Sequence, residues 1–255
     1  MICPCCDFQS AADRQFTAKK AAKQLRDYRR GRIVSTTRLL RDGVAKTGLN
    51  QGSLLDVGGG VGALAFELLD RGMSTAIVVE ASSAYVAAAT EEAARRGRTG
   101  SIEIVHGDFL EMSDRLPTAS VVTLDRVVCC YPFFEPMLEE AVWHAERAFA
   151  FSYPKDRWYV RAAVWLDNKK RARKTAFRTY VHPPLRMLRI IQSAGFELAS
   201  RRSTATWSVD VFVKSTLNQF LAGLGSEADD HQRSRKGHRG SEQIGAARTL
   251  SFDNP

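Results

Sequence analysis

No stretch of this chain leaves fewer options than residues 54–69, Leu54-Leu55-Asp56-Val57-Gly58-Gly59-Gly60-Val61-Gly62-Ala63-Leu64-Ala65-Phe66-Glu67-Leu68-Leu69. Leu54, Leu55 and Val57 form the short apolar run of a strand buried on both faces, and Gly58 to Gly60 end it. Glycine tolerates positive φ and carries no Cβ, so the backbone can turn there and approach a ligand closely at the mouth of the next helix. Leu64, Leu68 and Leu69, with Phe66 nearby, recur at helical spacing and predict an amphipathic helix packed back on the sheet. Together these predict an open α/β sheet with a nucleotide site at the carboxyl ends of its strands.

Two cofactors compete for that turn. Gly58, Gly60 and Ala63 satisfy the loose dinucleotide pattern, in which a pyrophosphate sits on the helix N-terminus. The same residues spell Asp56-x-Gly58-x-Gly60-x-Gly62. A second buried strand, Ala76-Ile77-Val78-Val79-Glu80, ends in a carboxylate able to accept hydrogen bonds from both hydroxyls of a ribose, which serves either cofactor. A third, Ile102-Glu103-Ile104-Val105-His106, is followed by Gly107-Asp108-Phe109. In the order and spacing of these three stations the chain resembles the class I S-adenosylmethionine-dependent methyltransferases. The resemblance implies S-adenosyl-L-methionine as cofactor, held by Asp56, Gly58, Gly60, Gly62, Glu80, Asp108 and Phe109, with Asp108 at the adenine edge and Phe109 over its face. It also implies a Rossmann-like fold: a seven-stranded, mostly parallel sheet with an antiparallel last strand and helices on both faces.

The rest of the chain fits that plan. Residues 1–10 are expected to be flexible, and 11–29 are good helix formers with no breaker. Ser35-Thr36-Thr37 can cap a second helix ending near Gly48, so residues 11–48 form lid helices in the family's manner, with Tyr28, Arg30 and Thr37 able to face the pocket. Residues 49–215 form the methyltransferase domain, in which strands and helices alternate: Ser82-Ser83 caps a helix to Arg96, Val121–Asp125 and Ala148–Ser152 are strands, and Trp207–Val213 alternates as an antiparallel strand does. Residues 154–181, where the family builds its substrate cap, join an aromatic-apolar helix to a basic one that can cover a substrate or touch a membrane surface. Residues 216–255 are read as a short helix and a disordered tail.

Methyl transfer from a sulfonium is an in-line displacement that asks for alignment, exclusion of water and, for some acceptors, removal of a proton. The loop Asp125-Arg126-Val127-Val128-Cys129-Cys130-Tyr131-Pro132 stands where the family presents its reacting groups. It lacks the Asn-Pro-Pro-Tyr or Asp-Pro-Pro-Tyr signature of enzymes that methylate planar amines. Its Tyr-Pro is similar to the magnesium-protoporphyrin O-methyltransferase subgroup, with Cys130 at the position of that subgroup's His. Asp125, Tyr131 and His182 are the catalytic candidates, and Tyr28, Arg126, Tyr131 and Trp158 the substrate candidates. Arg126 can pair with an acceptor carboxylate. Adjacent cysteines such as Cys129 and Cys130 rarely bridge, and they fill space as small apolar residues.

The formal charge is +9, and it is uneven: residues 1–50 hold eleven Lys/Arg against four Asp, and 155–190 hold eleven against two. Such surfaces steer acidic substrates, lipid or RNA. No window has the length of uncharged apolar chain that spans a membrane, and Met1–Asp7 lacks a secretory pattern, so a cytoplasmic protein is the expectation. Cys3, Cys5 and Cys6 lack the spacing and partner ligands of a zinc site, and no metal is expected. The reading is a methyltransferase acting on a small molecule, acidic or apolar-ringed, with nucleic acid disfavoured, peripheral membrane contact open and oligomeric state undetermined. Its rivals are an RNA methyltransferase, an NAD-binding oxidoreductase and a non-catalytic cofactor-binding protein.

Overall fold

The computed structural model describes residues 8–215. Seven strands form one sheet in the order β3-β2-β1-β4-β5-β7-β6: β1 Ser53–Val57, β2 Thr75–Glu80, β3 Ile102–His106, β4 Ala119–Asp125, β5 Ala145–Pro154, β6 Phe196–Ser203 and β7 Trp207–Lys214. Neighbours β3 through β5 pair in parallel, and β7 runs antiparallel to both β5 and β6. The helices are α1 Phe8–Gln15, α2 Ala18–Arg29, α3 Ser35–Lys46, α4 Ala63–Leu69, α5 Ser83–Arg95, α6 Phe109–Met112, α7 Phe134–Trp143, α8 Trp158–Arg171 and α9 Pro184–Ser193. Helices α3 and α4 pack together, as do α2 and α5, while α7 packs with α9, β5 and α6. With the strand order reversing between β1 and β4, the right-handed crossover rule places α4 and α5 on the face opposite α7.

Parallel strands covered on both faces must be apolar throughout, which accounts for Leu54, Leu55, Val57, Val121, Val122 and Leu124, all at most 1% exposed. Phe149, Phe151 and Phe212 fill the core where β5 meets β7. Burying each contributes roughly 2–3 kcal/mol. The alternation in Trp207–Val213 understates how deep β7 lies. Because β7 sits between β5 and β6, even Asp210 is fully buried, held by Arg201 at 2.8 Å and by the hydroxyl of Tyr153 at 2.9 Å.

The N-terminal segment departs from the expectation of one helix over 11–29. Helix begins at Phe8, inside the stretch read as flexible, and breaks at Phe16-Thr17 between α1 and α2. The break lets Phe16 set its ring edge-on to Tyr85 at 5.6 Å and Phe177 at 5.2 Å, while Phe8 stacks on Tyr131 at 4.2 Å. Tertiary packing here overrides favourable helix propensity. The expected serine and threonine caps are likewise reassigned. Ser82 donates its hydroxyl to the Phe16 carbonyl, and the backbone N–H of Ser83 is taken by the Asp13 carboxylate at 2.8 Å, so α1 caps α5. Neither Ser82 nor any residue at the start of α3 makes a side-chain cap. The expected flexible residues 1–7, with Cys3, Cys5 and Cys6, and the expected tail 216–255 lie outside the described residues.

Candidate active site

The order of the strands reverses between β1 and β4: the chain leaves β1 for β2 on one side and later returns to β4 on the other. Open α/β sheets bind ligands at this switch point. A cavity of about 1030 Å³ opens there, lined from β1, β2, β4 and β5 by Asp56, Val57, Glu80, Asp125 and Pro154. Helices α1 and α2 and the break between them wall one side with Phe8, Phe16, Lys20 and Tyr28, and α8 roofs another with Val160, Ala163 and Val164.

The glycine turn forms the floor. Gly58, Gly60 and Gly62 have φ of 63°, 61° and 77°, in the left-handed region that residues with a Cβ adopt at a cost. A Cβ on Gly58 would stand 2.5 Å from the Val127 side chain, and one on Gly62 would stand 2.8 Å from the Phe66 ring. Sterics and backbone conformation thus both require glycine there. Gly58, Gly59 and Gly60 line the cavity, while Gly62 starts α4 beneath them.

Glu80 locks the turn. Its Oε2 accepts from the Gly60 N–H at 2.9 Å and its Oε1 from the Ser82 N–H at 2.8 Å. A carboxylate offers about four lone-pair sites, so each oxygen keeps capacity for a hydroxyl of a bound nucleoside. Burial raises its pKa against the pull of those N–H groups. Asp56 is fully buried: Oδ1 accepts from the Thr123 hydroxyl at 2.7 Å, and Oδ2 has no hydrogen-bond partner. Burial, opposed by Thr123 and reinforced by Asp125 and Glu80, pushes its carboxyl up to about 7. A cradle of bare backbone with an orphaned carboxylate oxygen fits a nucleoside that carries a positively charged tail.

The third station is built differently from the expectation. Gly107 and Phe109 line the cavity, but Asp108 does not. Its Oδ1 caps α6 through the Leu110 N–H at 3.1 Å and accepts from the Tyr131 hydroxyl at 2.6 Å. Tyr131, which does line the cavity, stands where the acid was expected. Its phenol is pushed well above its ordinary value by burial and by Asp108.

Of the catalytic candidates, Asp125 faces the cavity, accepting from Thr37 Oγ1 at 2.5 Å and Ser152 Oγ at 2.7 Å. His182 does not. It is buried behind the wall, its Nε2 donates to the Tyr131 carbonyl at 2.9 Å, and burial lowers its pKa. The ring thereby ties the Pro183 turn to the loop that carries Tyr131. Among the substrate candidates, Tyr28 lines the cavity with its hydroxyl toward Glu67 and Arg96 over its ring. Trp158 is 81% exposed and lies off the cavity, because the phase of α8 turns Val160, Ala163 and Val164 inward instead.

Arg126 is the local exception in the backbone, the one non-glycine residue with positive φ (63°) among the described residues. Its N–H is satisfied by Ser152 Oγ at 2.8 Å, and its carbonyl receives the thiols of Cys129 and Cys130. Its Nε is buried without a hydrogen-bond partner, 3.9 Å from Asp125 Oδ1, and the residue lines the cavity. Phe8, Lys20, Phe177 and Arg171 also line it and were not singled out, although Phe177 and Arg171 lie in the expected cap of residues 154–181 and Lys20 in the expected lid helices. No group of His, Cys, Asp and Glu among the described residues is arranged to hold a metal ion.

Residues 54–150 match the family model of a methyltransferase domain. No curated protein matches the chain. Among solved structures, magnesium protoporphyrin IX methyltransferase from Synechocystis PCC 6803 with bound S-adenosylmethionine is 19% identical, with TM-score 0.61 over 82% of this chain and 98% of that one. An O-methyltransferase family protein from Burkholderia thailandensis is 15% identical, with TM-score 0.62 over 82% of this chain and 64% of that one. Human N-acetylserotonin methyltransferase in complex with S-adenosylmethionine is 18% identical, with TM-score 0.54 over 78% and 56%. At such identities these likenesses establish the fold. Residues 54–150 match the methyltransferase-domain model, and the chain that frames them shares the fold of these solved methyltransferases.

Proposed function

We propose that this chain is an S-adenosylmethionine-dependent methyltransferase whose acceptor is a small molecule with an apolar ring and an acidic group. The observation that carries the acceptor class is Arg126: a residue in left-handed backbone lines the cavity beside Phe8, Phe16, Val160 and Val164, and its buried Nε has no hydrogen-bond partner. Backbone strain of this kind costs about 1–3 kcal/mol and persists where the surroundings enforce it. The cavity, at about 1030 Å³, is at the upper end of what a single drug-sized ligand occupies, which suits a donor and an acceptor together.

When bound, the cofactor supplies a methyl group already activated on a sulfonium. Glu80 would accept from its ribose hydroxyls, Asp56 would face its charged tail, and Phe109 would border the base. Arg126 would orient the acceptor's carboxylate, and the apolar roof of α8 would exclude water. For a carboxylate nucleophile no proton need be removed. For a hydroxyl, Asp125 is the group in reach of the cavity. Magnesium protoporphyrin IX and N-acetylserotonin, named for two of the structural neighbours, are both ring compounds, and this supports the class without identifying the acceptor.

The test is transfer of labelled methyl from S-adenosylmethionine to a panel of aromatic carboxylic acids and their neutral amides. Acids are expected to be methylated preferentially, and Arg126→Met is expected to raise KM for acids about tenfold while leaving neutral acceptors unchanged. Equal use of acids and amides would refute the role of Arg126. Methylation of RNA in place of either would favour the second reading, which the basic stretches motivate.

A further inference from the structure

Helix α8 is apolar on two opposite sides, and the fold needs only one of them. Successive residues turn by about 100° around a helix. Val160, Ala163, Val164, Asp167 and Arg171 therefore share the side that lines the cavity. Trp158, Ala162, Trp165 and Lys169, at i, i+4, i+7 and i+11, form a stripe on the opposite side. Trp158 is 81% exposed and Trp165 58%. Large aromatic side chains left in water on a two-turn stripe mark a surface built to be covered.

The surroundings of the stripe identify its cover. Lys169 lies over the Trp165 ring at 4.1 Å, and Lys170 and Arg171 continue the basic end of the helix. The only acids in residues 155–190 are Asp156 and Asp167, and each is held by an arginine, Arg161 at 2.5 Å and Arg171 at 2.7 Å. The covering surface must therefore be anionic and able to accept two indoles without a pocket for either. A second copy of this chain would set cation against cation, disfavoured by a formal charge of +9. An anionic bilayer meets both requirements. Indoles settle at headgroup depth, and flanking lysines draw on the negative surface potential.

We infer that the outer stripe of α8 docks this protein on an anionic lipid surface. The helix lies flat on the headgroups through Trp158 and Trp165, spaced by about 10 Å along its axis, with Lys169 and Lys170 among the phosphates. No helix among the described residues is long and apolar enough to cross a membrane, so the contact is peripheral. Leu166, at the edge between stripe and cavity, is 48% exposed and also lines the cavity. Docking would thus set the roof of the cavity against the bilayer, from which an apolar-ringed acceptor can enter. That consequence rests on the proposed acceptor, whereas the docking does not.

The experiment is flotation of the full chain with vesicles of phosphatidylcholine and phosphatidylglycerol, and with phosphatidylcholine alone. The protein is expected to float with the mixed vesicles only, with a blue shift of tryptophan emission. Trp158→Ser with Trp165→Ser is expected to lower partitioning at least tenfold, and Lys169→Gln with Lys170→Gln by roughly fivefold per cation at low salt. Both pairs are exposed, so unchanged thermal unfolding and unchanged S-adenosylhomocysteine binding verify that the variants are folded. Failure of the unaltered chain to float would overturn the proposal. So would flotation undiminished by the tryptophan pair, or loss of RNA retention in place of flotation in those variants. Turnover with a soluble acceptor, measured without vesicles, reports separately on the proposed function.

Discussion

Glu80 and Val164 line one cavity, and they are held there by unlike means. On the floor, position is set by backbone: three glycines in left-handed conformations, two N–H groups tied to one carboxylate, and a buried Asp56 fixed by Thr123. On the roof, α8 offers to the cavity the aliphatic side chains of Val160, Ala163 and Val164, which make no directional bond, while Tyr159 and Asn168 tie the helix to Ala205 and Thr179. A floor of this kind recognises one ligand closely and tolerates little change. A roof of this kind excludes water around molecules of many shapes, so it can change without disturbing the floor.

The largest expected effect comes from forcing a side chain into the floor. Gly58→Val adds a β-branched side chain at φ 63° and a Cβ 2.5 Å from Val127. The cost should be about 3 kcal/mol or more, read as a lowered urea midpoint, with S-adenosylhomocysteine binding lost. Glu80→Ala is next. It orphans the N–H groups of Gly60 and Ser82, each at about 1–3 kcal/mol, and should weaken S-adenosylhomocysteine at least a hundredfold by calorimetry.

Asp56→Asn sharpens the comparison, because it should separate stability from binding. The folded carboxyl titrates at about 7 against an ordinary 3.8. The folded state thus holds a proton that the unfolded state has released, and ligand-free stability falls as pH rises across that window. Asparagine can still accept from Thr123 and carries no buried charge. The variant should melt higher than the unaltered chain at pH 8, yet bind S-adenosylhomocysteine about tenfold more weakly.

Glu92→Gln tests the ion-pair cluster that joins α2 to α5. Glu92 is fully buried, and although burial raises its pKa, hydrogen bonds from Arg95, Arg96 and Arg29 bring it down to about 2. Its depressed pKa stabilises the fold above the ordinary 4.5, and that contribution is lost as pH falls from there through 2. The substitution should lower the melting temperature at pH 7 and flatten the acid limb of the stability profile. Smallest of all, Val164→Ser should change S-adenosylhomocysteine affinity less than about twofold while raising KM for an acidic ring acceptor. A roof substitution that weakens the cofactor analogue as much as Glu80→Ala would break the distinction between floor and roof.

The same contrast governs what could be read from sequence. Asp56, the glycines and Glu80 were legible because local chemistry fixes them: a buried run must end, a turn with positive φ must be glycine, and a carboxylate at a strand end must find donors. The antiparallel β7 was legible in the alternation of Trp207–Val213, whereas the order of the strands is written in no local pattern. The roof was legible only as a helix. With apolar residues on both sides of α8, periodicity could not tell Val160 from Trp158 as the inward residue. His182 and Asp108 went astray for a related reason. Each sits beside the cavity in sequence, but a contact distant in the chain, the carbonyl or the hydroxyl of Tyr131, takes up its polar atom. Asp13 capping α5 and Phe16 breaking the first helix are long-range contacts that no local pattern announces.

Calorimetric titration of the purified chain with S-adenosylhomocysteine and, in parallel, with NAD bears most directly on the floor as a methyl-donor site. Saturable one-to-one binding of S-adenosylhomocysteine, weakened by Glu80→Ala, is expected, with no heat from NAD. Binding of NAD without S-adenosylhomocysteine would contradict that expectation.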